Sequence, residues 1–206
     1  PHSLKDEEVE AFIFDVDGTL LNTMPLFLPS WYVTCDEFGL TIDEHQFYHF
    51  AGLPLPTIVH ELHQEQKNEP PTEEFIQQFL KKKKSSHAAH EAKHGGPEKI
   101  DCVVRIALEA KKQGRRLACA TSGLRVHVEK HLKEAGIFEL FEHIVCAEDL
   151  PKGRGKPNPD IFLEAAKKLG TEPHKCRAFE DGESGLEAAY KAGMHVSIDY
   201  EQAVAP

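Results

Sequence analysis

Paired cysteines are the first thing this chain lacks. Its five cysteines, at positions 35, 102, 119, 146 and 176, form no C-x-x-C pair and no framework spacing, which argues against a disulfide-stapled fold. Cys119, Cys146 and Cys176 each lie inside a short apolar run, the pattern of buried thiols in a reducing compartment. Long apolar stretches are also missing. None approaches the ~20 residues of a membrane span, so no membrane association is expected. No secretory signal is read at the start; the chain opens at Pro1 rather than Met, which leaves a removed targeting peptide open. A cytoplasmic location is expected, or an organelle matrix if such a peptide was lost. Basic charge is in short supply: 24 Lys and Arg stand against 34 Asp and Glu, a net charge of -10. That balance argues against nucleic acid or an anionic membrane surface as the main partner. It leaves room for an anionic small molecule, since a local site can be positive on an acidic protein.

With 206 residues the chain suits one core domain carrying a modest insertion, expected as a monomer. It is long enough to bury about 70% of its unfolded surface without a staple. Five short apolar or β-rich runs recur: Phe12–Phe14, Leu117–Ala120, Ile144–Cys146, Arg177–Phe179 and Val196–Ile198. Between the later ones lie helical stripes, each ending at a glycine: Val103, Ile106, Ala107, Ala110 before Gly114; Leu124, Val128, Leu132 before Gly136; Ile161 to Leu169 before Gly170; Leu186, Ala189, Tyr190 before Gly193. Strands alternating with helices predict an α/β, Rossmann-like parallel sheet with crossover helices.

Residues 24–96 break that rhythm. They hold helical stripes (Leu55, Ile58, Val59, Leu62; then Phe75, Ile76, Phe79, Leu80), a Pro70-Pro71 divider and a Gly95-Gly96-Pro97 return point, without a convincing strand. The reading is an inserted helical cap at 24–96 in a core formed by 1–23 and 97–206. Ligands of open parallel sheets bind beyond the carboxyl ends of the strands, and an insertion leaving from that edge would roof the site.

Four strand ends carry chemistry. The first runs into Asp15-Val16-Asp17-Gly18-Thr19-Leu20; alternation points both carboxylates the same way until Gly18 bends the backbone. The second ends in Thr121-Ser122-Gly123, hydroxyls and backbone N–H groups at a helix start, able to cradle phosphate. The third leads to Gly155-Lys156-Pro157-Asn158, a lysine pinned between turn formers, and the fourth ends in Glu180-Asp181-Gly182. Each alone has a plainer explanation: turn residues, an N-cap, a solvated loop lysine. Together they describe one site.

These motifs resemble the haloacid dehalogenase-like hydrolase superfamily, in its β-phosphoglucomutase-like and CbbY-like branch with a helical cap. The resemblance rests on DVDGTL at 15–20, Thr121 of ATSG, GKPNPDIF at 155–162 and EDGESGLEAAYKAGM at 180–194, and it covers nearly the whole chain. It implies a phosphatase in which Asp15 attacks phosphorus and Asp17 serves as acid and then base. Thr121 and Lys156 would stabilise the transferring group, aided by Ser122 and Gly123. Mg²⁺ would be held by Asp15, Asp17 through its carbonyl, and Asp181, with Glu180 as an inner or outer partner. Thr23, Lys82 and Asn158 are the further expected substrate contacts, the substrate being a small phosphorylated metabolite such as a sugar or polyol phosphate.

Two features of the phosphomutase relatives are missing. Phe27 stands where mutases carry a His, and Leu55, in Ala51-Gly52-Leu53-Pro54-Leu55, stands where a cap Arg grips the distal phosphate of a bisphosphate. Lys82, within the Lys81–Lys84 run, aligns with a phosphate-gripping lysine. Hydrolysis is therefore expected, with a β-phosphoglucomutase-type mutase as the alternative. The dehalogenase branch lacks the second aspartate of the pair, which is present here as Asp17. A competing signal is His90-Glu91-Ala92-Lys93-His94, an H-E-x-x-H match with His87 a turn back. Gly95-Gly96-Pro97 ends that helix at once and no third ligand follows, so a protease is not expected. His2, His127, His131 and His174 read as fillers of surface or core.

Overall fold

Strand β1 (Ala11–Phe14) is the centre of a five-stranded parallel sheet in the order β5-β4-β1-β6-β7. Its partners are β4 (Arg116–Thr121), β5 (His143–Cys146), β6 (Cys176–Phe179) and β7 (His195–Ser197). The computed structural model describes residues 9–50 and 53–197; His2, Ile198 and the Ala51-Gly52 pair lie outside the described residues. All five apolar runs fall on these strands, so the Rossmann-like α/β sheet is as the sequence predicts.

Both faces of the sheet are covered, which is why the strands read as continuous apolar runs rather than alternating ones. Ala11 and Ile13 point to one side, against Ile161, Phe162 and Ala165 of α7 (Asp160–Lys168) and Ala188 and Ala189 of α8 (Glu183–Lys191). Phe14 points to the other, with Val103 and Ala107 of α5 (Asp101–Lys112) and Val128 and Leu132 of α6 (Arg125–Glu134). The Phe14 ring stacks on Phe179 at 4.6 Å, and losing such a ring costs about 3–5 kcal/mol. Register matters most for function. Phe14 lies opposite Cys119 on one side and Phe179 on the other, so the residues that follow the three strands emerge side by side. The Asp15 N–H donates to the Phe179 carbonyl at 2.9 Å, extending the ladder one residue beyond β1.

Contacts divide the chain into two compact units: one runs to Asn22 and resumes at Glu98, the other is Thr23–Pro97. Thr23 and Pro97 thus go with the helical unit rather than with the sheet. A short antiparallel ribbon, β2 (Leu21–Asn22) with β3 (Glu98–Lys99), closes the first unit where the chain leaves and returns. The sequence offered no sign of it.

The second unit is helical: α1 (Met24–Glu37), α2 (Glu44–His49), α3 (Leu55–Lys67) and α4 (Glu73–His94). Its core is Trp31, Val59, Leu62 and Phe79, all buried. Asp43 and Gln46 form a capping box that starts α2, and the Thr72 hydroxyl accepts from Phe75 N–H at 3.2 Å to start α4. Such caps each contribute ~1 kcal/mol. Asn68 takes a left-handed conformation (φ 59°) to end α3 ahead of the Pro70-Pro71 divider.

Candidate active site

Lys156 is the hub of the carboxyl edge of the sheet. Its ammonium donates to Asp15 Oδ1 at 2.5 Å and to Glu180 Oε2 at 2.6 Å. All three side chains are almost wholly buried. The positions follow from the topology: Asp15 leaves β1, Glu180 leaves the adjacent β6, and Lys156 arrives on the loop before α7. Asp181 lies alongside, and one carboxylate oxygen from each of Asp15, Glu180 and Asp181 falls within 4.8 Å of the others.

The charges do not balance. Asp15 and Glu180 share the Lys156 ammonium, and the charges of Asp181 and Asp17 bear on Asp15 as well. Burial comes first in pushing the Asp15 carboxyl well above its ordinary range, then the Glu180 charge, with Asp181 and Asp17 behind it; Lys156 works in the opposite direction. Asp181 is also raised, by desolvation and by Glu180, against a hydrogen bond from Thr19. Burial works to lower Lys156, but the Asp15 and Glu180 charges outweigh it and hold the ammonium protonated. A cluster of convergent carboxylate oxygens with surplus negative charge suits a hard divalent cation. The donor set therefore fits Mg²⁺, with Asp15, Glu180 and Asp181 as the side chains able to hold it.

Asp17 and Thr121 meet at Gly123. A Cβ placed on Gly123 would lie 3.0 Å from Asp17 Oδ2, 3.2 Å from Thr121 Oγ1 and 2.8 Å from Val128, so only glycine leaves those groups where they are. The Gly123 N–H donates to the Thr121 hydroxyl at 3.0 Å. This corrects the picture of a free cradle: the Gly123 N–H is used internally, which fixes the Thr121 oxygen and leaves its O–H to donate. The next helix starts later than expected, at Arg125, whose N–H is accepted by Glu148 at 2.6 Å. Ser122 is exposed between them.

Other expected contacts sit differently. The Asn158 amide donates to the carbonyls of Gly153 (3.2 Å) and Gly155 (3.0 Å), shaping the loop that delivers Lys156. In the helical unit, Thr23 is fully buried at the start of α1, and its hydroxyl has no hydrogen-bond partner among the described residues. Lys82 is ion-paired with Glu37. Its neighbour Lys83 is the buried one, its ammonium 5.1 Å from the Phe27 ring and 5.6 Å from Trp31. Phe27 also packs on His87 at 4.9 Å, and Leu55 is exposed at the first turn of α3. The H-E-x-x-H histidines stack on each other at 4.4 Å on the last turn of α4, whereas Glu91 turns inward to His87 at 3.7 Å. Of the remaining histidines, His131 is buried and His174 exposed.

One residue was quoted in the sequence but given no role. The Thr19 hydroxyl donates to Asp181 Oδ1 at 2.7 Å, and Gly18 ahead of it (φ 90°) leaves the space that Asp181 fills: a Cβ there would come 2.8 Å from Asp181 Cγ. The signal was the Gly-Thr following the carboxylate pair.

A buried lysine shared by carboxylates at adjacent strand ends, on a Rossmann-like sheet, can position and neutralise a transferring phosphoryl group. Comparison with known proteins agrees. The family model of the haloacid dehalogenase-like hydrolases matches residues 12–198; the chain belongs to that family, within its β-phosphoglucomutase-like and CbbY-like branch, and is an enzyme of the phosphatase kind. The phosphorylated carbohydrates phosphatase of Thermotoga maritima is 30% identical, over 90% of this chain and 82% of the relative. The fructose-1-phosphate phosphatase YqaB of Escherichia coli is 26% identical, over 91% and 95%. Among solved structures, CbbY from Rhodobacter sphaeroides in complex with xylulose-(1,5)bisphosphate superimposes with a TM-score of 0.75 at 26% identity, covering 91% of this chain and 84% of that one. Among the described residues no helix is long and apolar enough to cross a membrane, and all five cysteines are free thiols.

Proposed function

We propose that this chain is a Mg²⁺-dependent phosphatase of a small phosphorylated metabolite, a sugar or polyol phosphate, working through an aspartyl-phosphate on Asp15. The observation that carries this reading is Lys156 bridging Asp15 and Glu180 at the ends of adjacent strands, with Asp181 beside them. An Asp15 carboxylate oxygen forms a bond to phosphorus as the bond to the leaving oxygen breaks. Asp17 gives that oxygen a proton, then takes one from the water that attacks the aspartyl-phosphate and releases phosphate. Lys156 and the Thr121 O–H offset charge on the phosphoryl oxygens. Ser122, Gly123 and Asn158 shape the loops around them, while Thr23 and Lys82 remain the helical unit's proposed substrate contacts. Asp15, the Asp17 carbonyl and Asp181, with Glu180, would hold Mg²⁺, which would supply the remaining positive charge.

Burial and the surplus of carboxylates raise the Asp15 carboxyl, and a divalent cation that offset this charge would favour its ionised form, which supports a metal-dependent enzyme. Hydrolysis is favoured over mutase chemistry by Phe27 and Leu55. Phe27 is packed against His87 and Lys83 and has no proton to exchange; exposed Leu55 offers nothing to a distal phosphate. The same reading has the enzyme acting as a cytoplasmic or organelle-matrix monomer, with no nucleic acid or membrane partner. The test is a panel of sugar and polyol phosphates with Mg²⁺, read as free phosphate. Release from members of the panel supports the phosphatase. Conversion of glucose 1-phosphate to glucose 6-phosphate with a bisphosphate primer, in place of release, would replace it with the mutase.

A further inference from the structure

Glycine inside a helix costs ~1 kcal/mol relative to alanine, yet α8 carries Gly185, buried, in its first turn. Backbone conformation does not explain it, because Gly185 is not among the residues with positive φ. Space does. A Cβ built on Gly185 would stand 2.5 Å from Glu180 Oε1 and closer still to Cδ and Oε2. The carboxylate that fills this space is held by one hydrogen bond on each oxygen. Oε1 accepts from the Gly182 N–H at 3.0 Å, and Oε2 accepts from Lys156 at 2.6 Å. Glu180 is thus seated between the first turn of α8 and the buried ammonium, and the seat is the side chain that Gly185 lacks.

We propose that Gly185 is a positioning residue for phosphoryl transfer. The absence of its Cβ lets Glu180 reach Lys156, and Lys156 in turn is held where it meets Asp15. The proposal rests on the phosphatase reading above. A methyl group at 185 moves the Glu180 carboxylate outward, off the ammonium and away from the oxygens of Asp15 and Asp181 that it joins. Gly18 does the same for Asp181, but its positive φ mixes two requirements; Gly185 isolates the steric one. The geometry also identifies the compensating change. Glu180→Asp is one methylene shorter and draws the carboxylate back from the position a Cβ at 185 would occupy.

The test is a double-mutant cycle of Gly185→Ala and Glu180→Asp, with kcat on the best substrate of the wild type and Mg²⁺ binding by calorimetry as separate readouts. Wild-type enzyme without turnover would defeat the phosphatase reading itself; wild-type turnover leaves the cycle to judge Gly185. The expected result is a loss of about tenfold or more in kcat for Gly185→Ala, with weakened Mg²⁺ binding. Adding Glu180→Asp should return both to the level of Glu180→Asp alone. Gly185→Ala within twofold of wild type in both readouts overturns the proposal, as does a double variant tenfold or more below Glu180→Asp alone. If Gly185→Ala does not fold, the comparison is the double variant with Glu180→Asp: equal folding and activity support the proposal, and a double variant that is unfolded or tenfold weaker overturns it.

Discussion

The Thr19 hydroxyl donates a 2.7 Å hydrogen bond to Asp181 across 162 positions of chain. It ties the loop after β1 to the loop after β6, and it aims one carboxylate oxygen. Thr19→Val keeps the shape and removes the donor. A hydrogen bond to a charged group at a partly open site contributes roughly 1 kcal/mol or somewhat more. Mg²⁺ binding measured by calorimetry should therefore weaken about fivefold, with thermal stability nearly unchanged.

Lys156 is the only cation within hydrogen-bond reach of buried Asp15 and Glu180 among the contacts of the described residues. Lys156→Met leaves two carboxylates facing each other in a buried site. Removing one member of a buried ion pair costs about 3–5 kcal/mol. Urea denaturation should show a loss of about 3 kcal/mol together with loss of turnover. An unchanged midpoint would mean that the bridge contributes nothing to the fold.

The raised Asp15 and Asp181 carboxyls carry a pH signature. A carboxyl whose pKa is higher folded than unfolded makes the folded state bind more protons, so its contribution to stability declines as pH rises from the ordinary carboxylate range, about pH 4, through the raised value. Raised Lys156 has the same sense, a contribution that declines as pH rises, but that decline falls only at strongly alkaline pH. Metal-free protein should therefore lose stability from this cluster as pH rises above the ordinary carboxylate range. Mg²⁺ relieves the repulsion, so the rise in Tm it produces should be larger at pH 8 than at pH 5. A Tm increment independent of pH would contradict this assignment of charge.

His90 and His94 should matter little. They stack on each other in the last turn of α4, and Glu91 between them turns inward to His87, away from the arrangement a zinc protease needs. The variant His90→Ala, His94→Ala should retain phosphate release within about twofold of wild type. Complete loss would return the motif to consideration.

The strand ends were legible because a parallel sheet buried on both faces turns sequence into unbroken apolar runs, and whatever polar residue follows a run must stand at its edge. Asp15, Thr121 and Glu180 are found that way. Lys156 is marked only by the turn formers around it, since a loop lysine has no periodicity of its own. Which lysine of the 81–84 run faces inward depends on the phase of α4 against α1. That phase is set by Phe27 and Trp31, whose rings meet Lys83, and one residue of helix rotates a side chain by ~100°. The β2–β3 ribbon was invisible because two-residue strands carry no pattern. In the sequence Gly18 reads only as a bend and Gly185 has no role; the seat of Asp181 exists only once β1 and β6 are adjacent, and the seat of Glu180 depends on how α8 folds back over the end of β6.

In the proposed mechanism Asp15 carries the phosphoryl group. The direct measurement is mass spectrometry of the Asp15-containing peptide after acid quenching during turnover, in wild type and in Asp15→Asn. A phosphate adduct is expected on Asp15 in the wild type and none in Asp15→Asn, with at least a thousandfold fall in phosphate release by the folded variant. Turnover by Asp15→Asn within tenfold of wild type, with no adduct on the wild-type peptide, would contradict it.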